Sequence, residues 1–308
     1  MNVIFMGTPD FALGTLDAIE AAGHQIVLVV SQPDRPKGRG NAMQYPPVKE
    51  WALERDIPVF QPERIRKPEC IEELRKYPAD IFVVAAFGQI LPKEILEMPR
   101  LGCINVHASL LPKYRGAAPI QWSILNGDDV TGVTIMQMGV GLDDGDILTQ
   151  VEVPIDAEDT GGSLFDKLAI AGGTLCAETM ERLDRGEITP QPQDPKLATH
   201  VGMIHKELGK LDFSRPAKEL ECYIRGLNPW PSAYSKLGGK TLKIWKAKVL
   251  SEVSGTPGEI VEVTKDTMVI ACGEGGLSLV EVQLEGKKRM PIADFLRGYH
   301  VEAREHME

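Results

Sequence analysis

Cysteine is scarce and scattered in this chain: five in 308 residues, at positions 70, 103, 176, 222 and 272, with no pair at C-x-x-C spacing. That pattern excludes a disulfide framework and a cysteine-built zinc site. Cys103, in an expected strand, reads as a small buried hydrophobe. No apolar run approaches the roughly 18 residues that span a bilayer. Internal repeats and low-complexity tracts are also absent, which leaves an ordinary globular composition of 43% hydrophobic and 25% charged residues. The nucleotide fingerprints are missing too. Gly7-Thr-Pro-Asp10 lacks G-x-G-x-x-G spacing and Gly88 opens no glycine-rich turn, so a nicotinamide cofactor is not expected. Gly238-Gly-Lys-Thr241 imitates the end of a P-loop, but Tyr234 stands where the first glycine belongs. Asp143, Asp144 and Asp146 crowd one loop without EF-hand spacing, so no metal is expected; Asp146 reads as a tie to backbone N–H groups.

What is present has an order. At this length two domains are the better expectation. Apolar strands at Val3–Met6, Ile26–Val30, Val59–Phe60, Ile81–Ala85 and Cys103–Val106 alternate with helical stretches. These helices are expected at Asp10–Ala22, with Asp10 as N-cap, at Pro68–Lys76 and at Pro119–Leu125. Strands near Val133–Met138 and Ile147–Val153 and a long helix over Ser163–Arg185 complete the run. Such alternation predicts an α/β unit with a doubly wound, mainly parallel sheet. Ligands of these sheets sit beyond the carboxyl ends of the strands, where Gly7, Ala86-Phe-Gly88 and Asn105 fall.

Thr189-Pro-Gln-Pro-Gln-Asp-Pro195 reads as an extended, semi-rigid spacer. The expected division is therefore a catalytic domain over 1–189, a linker over 190–207 and a C-terminal domain over 208–308. After a helix at Pro216–Arg225, Asn228-Pro-Trp-Pro231 must be a turn. Short strands near Thr241–Val249, Gly258–Val263, Thr267–Ala271 and Leu277–Gln283 then predict a small, OB-like β-barrel. The net charge of -10 hides a local excess: residues 205–250 hold ten Lys and Arg against four Asp and Glu. A basic segment on an acidic chain is either a local electrostatic footprint for a polyanion or a charged, solvated face.

Asn105 and His107 stand two apart at the end of a strand, so both side chains point to one face. An amide donor beside an imidazole suits acyl transfer to an amine: the amide holds a developing oxyanion, the imidazole donates a hydrogen bond or carries a proton. Asp143, between glycines in a loop, is the carboxylate expected to orient the ring.

These words, in order, are Gly7-Thr-Pro-Asp-Phe11, Gln32-Pro-Asp-Arg-Pro36 with Gly38-Arg-Gly40, Asn105-Val-His107 with Ser109-Leu-Leu-Pro112, Tyr114-Arg-Gly-Ala-Ala-Pro119, Gly141-Leu-Asp143 with Gly145-Asp146, and Asn228-Pro-Trp-Pro231. Together they resemble the folate-dependent formyltransferases over nearly the whole chain, most closely the members that act on tRNA. The resemblance implies a Rossmann-like formyltransferase unit that uses 10-formyltetrahydrofolate as formyl donor, without metal. It implies catalytic roles for Asn105, His107 and Asp143, and a folate pocket lined by Phe87, Gly88 and Gln89 with Ser109, Leu110, Leu111 and Pro112. It further implies that methionyl initiator tRNA is the partner. The loop Pro33–Pro47, with Arg35, Lys37 and Arg39, would probe the acceptor end, and Lys206, Lys210, Lys240, Lys243, Lys246 and Lys248 would hold phosphates.

The same core chemistry leaves siblings open: a glycinamide ribonucleotide or sugar-nucleotide formyltransferase, or a formyltetrahydrofolate hydrolase. A catalytically silent tRNA-binding module is the alternative from another class. The chain starts on a strand, Asn2–Met6, so no signal peptide is expected and a cytoplasmic monomer is the consistent expectation.

Overall fold

The structure, a computed structural model, describes residues 1–37 and 42–308; Arg39, with the rest of Gly38-Arg-Gly40, lies outside the described residues. The chain forms two compact units that interleave in sequence. One comprises Met1–Pro119, Val130–Pro154 and Phe165–Val201; the other comprises Ile120–Asp129, Ile155–Leu164 and Gly202–Glu308.

Through the first unit the elements run β1 (Asn2–Gly7), α1 (Phe11–Ala21), β2 (Gln25–Val30), β3 (Arg35–Lys37), β4 (Ala42–Gln44), α2 (Pro47–Leu53), β5 (Val59–Phe60), α3 (Pro68–Arg75), β6 (Ile81–Ala85), α4 (Lys93–Leu96), β7 (Cys103–His107) and β8 (Arg115–Gly116). After α5 (Pro119–Leu125) come β9 (Val130–Gln137), β10 (Ile147–Pro154), α6 (Gly161–Asp184) and β11 (His200–Val201). Seven strands form one sheet in the order β10-β9-β7-β6-β1-β2-β5. The five from β7 to β5 are parallel, while β9 and β10 add an antiparallel hairpin at one side. Continuous apolar runs build the middle of this sheet because helices cover both faces. Val3, Ile4, Phe5 and Met6 of β1 and every residue of β6 are buried. Each Val, Ile, Phe or Met among them contributes roughly 1.5–3 kcal/mol by leaving water.

Strand order reverses beside β1, which lies between β6 and β2. There Thr8 Oγ1 and Gln32 Nε2 both donate to the Phe87 carbonyl, at 3.3 and 3.2 Å, and tie the carboxyl ends of three strands together. Asp10 occupies the N-cap position of α1 but makes no side-chain cap bond. Its backbone is already helical (φ -51°, ψ -32°), and a capping side chain needs an extended backbone. Within Pro33–Pro47 the short antiparallel pair β3–β4 appears, with Arg35 opposite Gln44. Three-residue strands are too short to show an alternation in sequence.

Thr189–Pro195 is not a free spacer. Gln191 and Ile147 exchange backbone hydrogen bonds at 2.8 and 2.9 Å, and β11 pairs in parallel with β8.

Described by itself, the second unit holds α7 (Ala217–Gly226), β12 (Ala233–Leu237), β13 (Lys240–Leu250), β14 (Ile260–Val263), β15 (Met268–Ala271), β16 (Gly276–Leu284), β17 (Met290–Pro291) and α8 (Ile292–Gly298). Its antiparallel sheet runs β12-β13-β16-β15-β14, with β17 added on β16. Among the described residues no ladder joins β12 to β14, so the sheet does not close as the expected barrel does. The chain's last residues lie along both edges instead. Lys236 on β12 and Glu308 exchange backbone hydrogen bonds, while Met307 N–H donates to Gly258 and Arg304 N–H to Ile260. Leu220 and Ile224 of α7, Leu242 and Ile244 of β13, Leu279 of β16 and Phe295 of α8 share the core of this unit. The P-loop imitation is a hairpin turn: Gly238 and Gly239 have φ of 54° and 75° between Leu237 and Lys240, which pair. Two left-handed residues give the type I′ turn that suits a twisted hairpin.

Where α1 meets α6, backbones touch. A Cβ on Gly173 would sit 2.2 Å from the Gly14 carbonyl oxygen, whereas one on Gly298 in α8 would meet nothing within 4 Å. Gly173→Ala should destabilise the protein by about 1–3 kcal/mol in urea denaturation, and Gly298→Ala should be neutral or slightly stabilising. Asp80 offers a second check. The Asn2 N–H donates to its carboxylate at 2.8 Å and, with Arg100 at 3.4 Å, holds the Asp80 carboxyl below the usual carboxylate range. A lowered folded-state pKa stabilises above the unfolded value of about 4 and loses that contribution as pH falls through the folded one. Asp80→Asn should therefore narrow its deficit against wild type as denaturation curves are taken to acid pH; a deficit independent of pH would refute this.

Candidate active site

Strand β7 ends in the expected pair. His107 is buried, at 6% exposure, and Asn105 is half-buried with no hydrogen bond to its side-chain amide among the described residues. Parallel pairing with β6 places Asn105 opposite Val84, and antiparallel pairing with β9 places His107 opposite Thr134.

The imidazole is held by a backbone carbonyl. His107 Nε2 lies 2.9 Å from the Tyr114 oxygen. A carbonyl only accepts, so Nε2 carries the hydrogen and, in the neutral ring, Nδ1 carries the lone pair. Nδ1 faces Asp143 Oδ2 at 3.7 Å, too long for a hydrogen bond. The carboxylate thus stands ready for the imidazolium but does not orient the neutral ring; Tyr114 does. The same Oδ2 accepts the Gly116 N–H at 2.8 Å.

That carbonyl reaches His107 because Tyr114 is left-handed, with φ of 61°. Ala86, Ala118 and Asp143 share this region, at 50°, 58° and 50°. Non-glycine residues avoid it, and strain of this kind gathers at functional sites where the surroundings over-determine it.

A second bracket holds the Asp143 loop. Gln193 Nε2 donates to the carbonyls of Asp143 and Gly145, at 2.9 and 2.8 Å. Its oxygen accepts from Nε and Nη2 of buried Arg115, at 3.0 and 2.8 Å. Thr199 Oγ1 accepts the Tyr114 N–H at 2.8 Å. These partners escape a side-chain reading: Gln193 and Thr199 sit in or beside a proline-rich stretch, and the Tyr114 contribution is main-chain. Asp146 ties the loop through its carbonyl, which accepts the Gln137 N–H; among the described residues its carboxylate has no hydrogen bond.

The residues expected to line a folate pocket are mostly buried or engaged with neighbouring groups of the fold. Phe87 and Leu111 are buried in the core. The Gln89 side chain accepts the Ile65 N–H and donates to the Pro62 carbonyl, at 2.7 and 3.0 Å. Ser109 is fully buried and donates to the Lys113 carbonyl at 2.7 Å. Leu110 packs on Gly132, and Pro112 accepts the Thr199 N–H at 3.2 Å. Gly88, with φ of 81°, and Ala86 are exposed. Exposed Ile90, Val140 and Leu142 add apolar surface that the sequence alone did not point to. Separately, a cavity of about 740 Å³ opens at the carboxyl ends of β1 and β2, lined by Thr8, Asp10, Gln32, Arg35, Tyr45 and Trp51 among others.

Of the cations expected to meet tRNA, Arg35 is exposed on β3, and the Lys37 backbone belongs to the same strand; the Lys37 side chain, like Arg39, is outside what is described. In the second unit Lys206 and Lys210 flank a short 3-10 turn and are exposed. Lys240, Lys246 and Lys248 are exposed along β13, with Lys243 half-buried. Register shifts around Trp245 and Lys246 break the alternation of β13. Lys246 pairs with Glu158, and Lys243 and Arg289 lie 5.5 and 4.7 Å from the Trp245 ring centroid. Trp245 and Arg289 are additions to the expected set. Among the described residues no three His, Cys, Asp or Glu gather as metal ligands, and no helix is long and apolar enough to cross a membrane.

A model of the formyl transferase family matches residues 1–191, and a model of the formyl transferase C-terminal domain matches residues 203–300. The methionyl-tRNA formyltransferase of Agathobacter rectalis is 59% identical over 303 residues, covering 98% of each chain. That of Bacillus subtilis is 50% identical over 304 residues, covering 98% of this chain and 96% of its own. Among solved structures, the N-formyltransferase of Helicobacter canadensis in complex with folinic acid and dTDP-3-aminofucose superposes with a TM-score of 0.66. It covers 94% of this chain and 99% of its own at 19% identity, a likeness of fold.

The ring geometry is directly checkable. Nitrogen-15 NMR of the neutral His107 imidazole should show the proton on Nε2; a proton on Nδ1 would refute the Tyr114 contact.

Proposed function

The chain belongs to the formyl transferase family, and from that membership we propose that it transfers the formyl group of 10-formyltetrahydrofolate to the α-amine of methionyl initiator tRNA, as a cytoplasmic monomer acting in translation initiation. One observation carries the chemistry: Asn105 offers an unpaired, half-buried amide on the strand face that ends in His107, whose free nitrogen faces Asp143. Relatives at 46–59% identity over nearly the full length bear the name methionyl-tRNA formyltransferase, which supports this acceptor over a nucleotide sugar.

The residues present fit a flat, amide-edged ligand. Exposed main-chain groups at Ala86 and Gly88 would read its edge, and exposed apolar side chains such as Ile90 and Leu142 would be candidates to cover its faces. When bound, 10-formyltetrahydrofolate supplies the formyl carbon that the neutral amine attacks. Asn105 donates its amide hydrogen to the oxygen that gains charge, a contribution typically worth about 3 kcal/mol of barrier. His107 keeps Nε2–H on the Tyr114 carbonyl throughout and takes the amine's proton on Nδ1. Asp143 stabilises the resulting imidazolium, and the same nitrogen returns the proton to the departing amine. No covalent enzyme intermediate is required.

Arg35, Lys37 and Arg39 would meet the acceptor end. Lys206, Lys210, Lys240, Lys243, Lys246 and Lys248, joined by Arg289 beside Trp245, would hold phosphates in a salt-dependent and weakly sequence-reading way.

Formyl transfer to methionyl initiator tRNA tests the assignment. Asn105→Ala should lower turnover on the order of a hundredfold with tRNA binding kept. Arg35→Ala and Arg39→Ala should weaken tRNA binding and flatten its dependence on salt, by about one unit of log–log slope for each phosphate left without its cation. Formate release or formylation of a nucleotide sugar, with tRNA left unmodified, would overturn the acceptor while keeping the site.

A further inference from the structure

Three consecutive residues organise the site, each through a different group. The Tyr114 carbonyl holds His107, the Arg115 guanidinium holds Gln193, and the Gly116 N–H holds the Asp143 carboxylate. The loop that carries Asp143 is therefore joined to this segment twice. One link runs through the Asp143 side chain. The other runs through Gln193 to the main-chain carbonyls of Asp143 and Gly145.

Gln193 is fully used in that second link. Its oxygen takes two guanidinium hydrogens and its nitrogen gives both of its hydrogens to carbonyls. A flipped amide would set donors against the guanidinium and an oxygen against two carbonyls, so one orientation alone satisfies all four bonds. The loop it grips is not relaxed by itself. Asp143 is held left-handed, and a Cβ on Gly145 would lie 1.8 Å from the Gln137 carbonyl oxygen, so the loop runs hard against β9.

We infer that Gln193 is a positioning residue for the formyl transfer proposed above: it sets the distance between Asp143 and His107 by fixing the Asp143 main chain to the segment that holds His107. The inference rests on that functional reading for its consequence, though the bracket itself does not. Without Gln193, the bond from the Gly116 N–H to the Asp143 carboxylate is the remaining described tie between the two segments, and it bears on a rotatable side chain. The 3.7 Å spacing from Nδ1 to Oδ2 then loses both hydrogen bonds at its main-chain end, and the next main-chain tie described for the loop is the Asp146 carbonyl on the Gln137 N–H. Misplacement of a catalytic group by about 1 Å can cost on the order of a hundredfold in rate.

Two substitutions separate positioning from the neutral alternatives. Gln193→Leu keeps the bulk and removes all four bonds. Gln193→Glu keeps the acceptor for Arg115, but its carboxylate has no hydrogen for the Asp143 and Gly145 carbonyls. Both should lower kcat on the order of tenfold or more, with KM for methionyl-tRNA within about twofold, the signature of a loss confined to the transition state. In an Asp143→Asn background, Gln193→Leu should add little, because both changes remove the same contribution. Amide hydrogen exchange over residues 138–146, measured on the free protein, should quicken in both variants while the midpoint of thermal unfolding stays close to wild type.

Rescue of kcat by Gln193→Glu would show that Gln193 merely serves Arg115 and would overturn the inference. So would full additivity with Asp143→Asn, or unchanged exchange. If Gln193→Leu does not fold, Gln193→Glu carries the test alone. If the wild type fails to formylate methionyl-tRNA, the functional reading falls, and exchange over residues 138–146 still decides whether Gln193 holds the loop.

Discussion

The hydrogen bond from His107 Nε2 to the Tyr114 carbonyl decides what the rest of the site can do. It commits one ring nitrogen to structure and leaves Nδ1, which carries the lone pair of the neutral ring, facing Asp143. It also demands an uncommon backbone at Tyr114, since a right-handed residue there would carry the carbonyl elsewhere. The surroundings pin that backbone from both sides: Thr199 accepts its N–H, and β11 pairs with the two residues that follow. A local conformation that is costly alone becomes the lowest state when neighbouring hydrogen bonds depend on it. Division of labour follows from this arrangement. In the proposed transfer Asn105, free of intramolecular partners among the described residues, is the group left to meet a developing charge, and Asp143 waits for the cationic ring.

Much of the fold could be read from the chain because apolar content and period are strong signals. Strands β1, β2 and β6 are continuous apolar runs, and the sheet buries them on both faces as such runs require. The helix expected over Ser163–Arg185 is α6 with its ends shifted by one or two residues. Asn105 and His107 were legible for a simpler reason: alternation along a strand puts i and i+2 on one face wherever the strand lies. Weak signals failed. Strand β12 is Ala-Tyr-Ser-Lys-Leu, polar at alternate positions and short, and β3 and β4 span three residues each.

The site's supports were hidden by their chemistry. A motif names side chains, whereas the Tyr114 carbonyl and the Gly116 N–H act through the main chain, where any residue has the same groups. Gln193 was obscured by its prolines. Three prolines in seven residues describe an extended backbone correctly, yet an extended backbone suits a strap docked on a surface as well as a spacer. Nothing in Gln-Pro-Gln distinguishes the two until Ile147 is found pairing with Gln191. The barrel expectation met a similar limit. Strand spacing predicts antiparallel ladders, but whether the outermost edges meet depends on what else runs along them, and here residues 304–308 do.

The strap has a bearing on how proteins of this architecture are cut and recombined. Composition alone would divide the chain at the first proline of Thr189–Pro195 and graft the leading piece onto a new partner. That piece would leave behind Gln191, Gln193, Thr199 and the strand His200–Val201, all of which bond into the unit it came from. The last boundary between the two interleaved units falls after Val201, with Ile120–Asp129 and Ile155–Leu164 already belonging to the unit beyond it. A piece carried through Val201 keeps the bonds from Gln193, Thr199 and β11 to the Asp143 loop and to Tyr114–Gly116, and a piece cut at the prolines loses them.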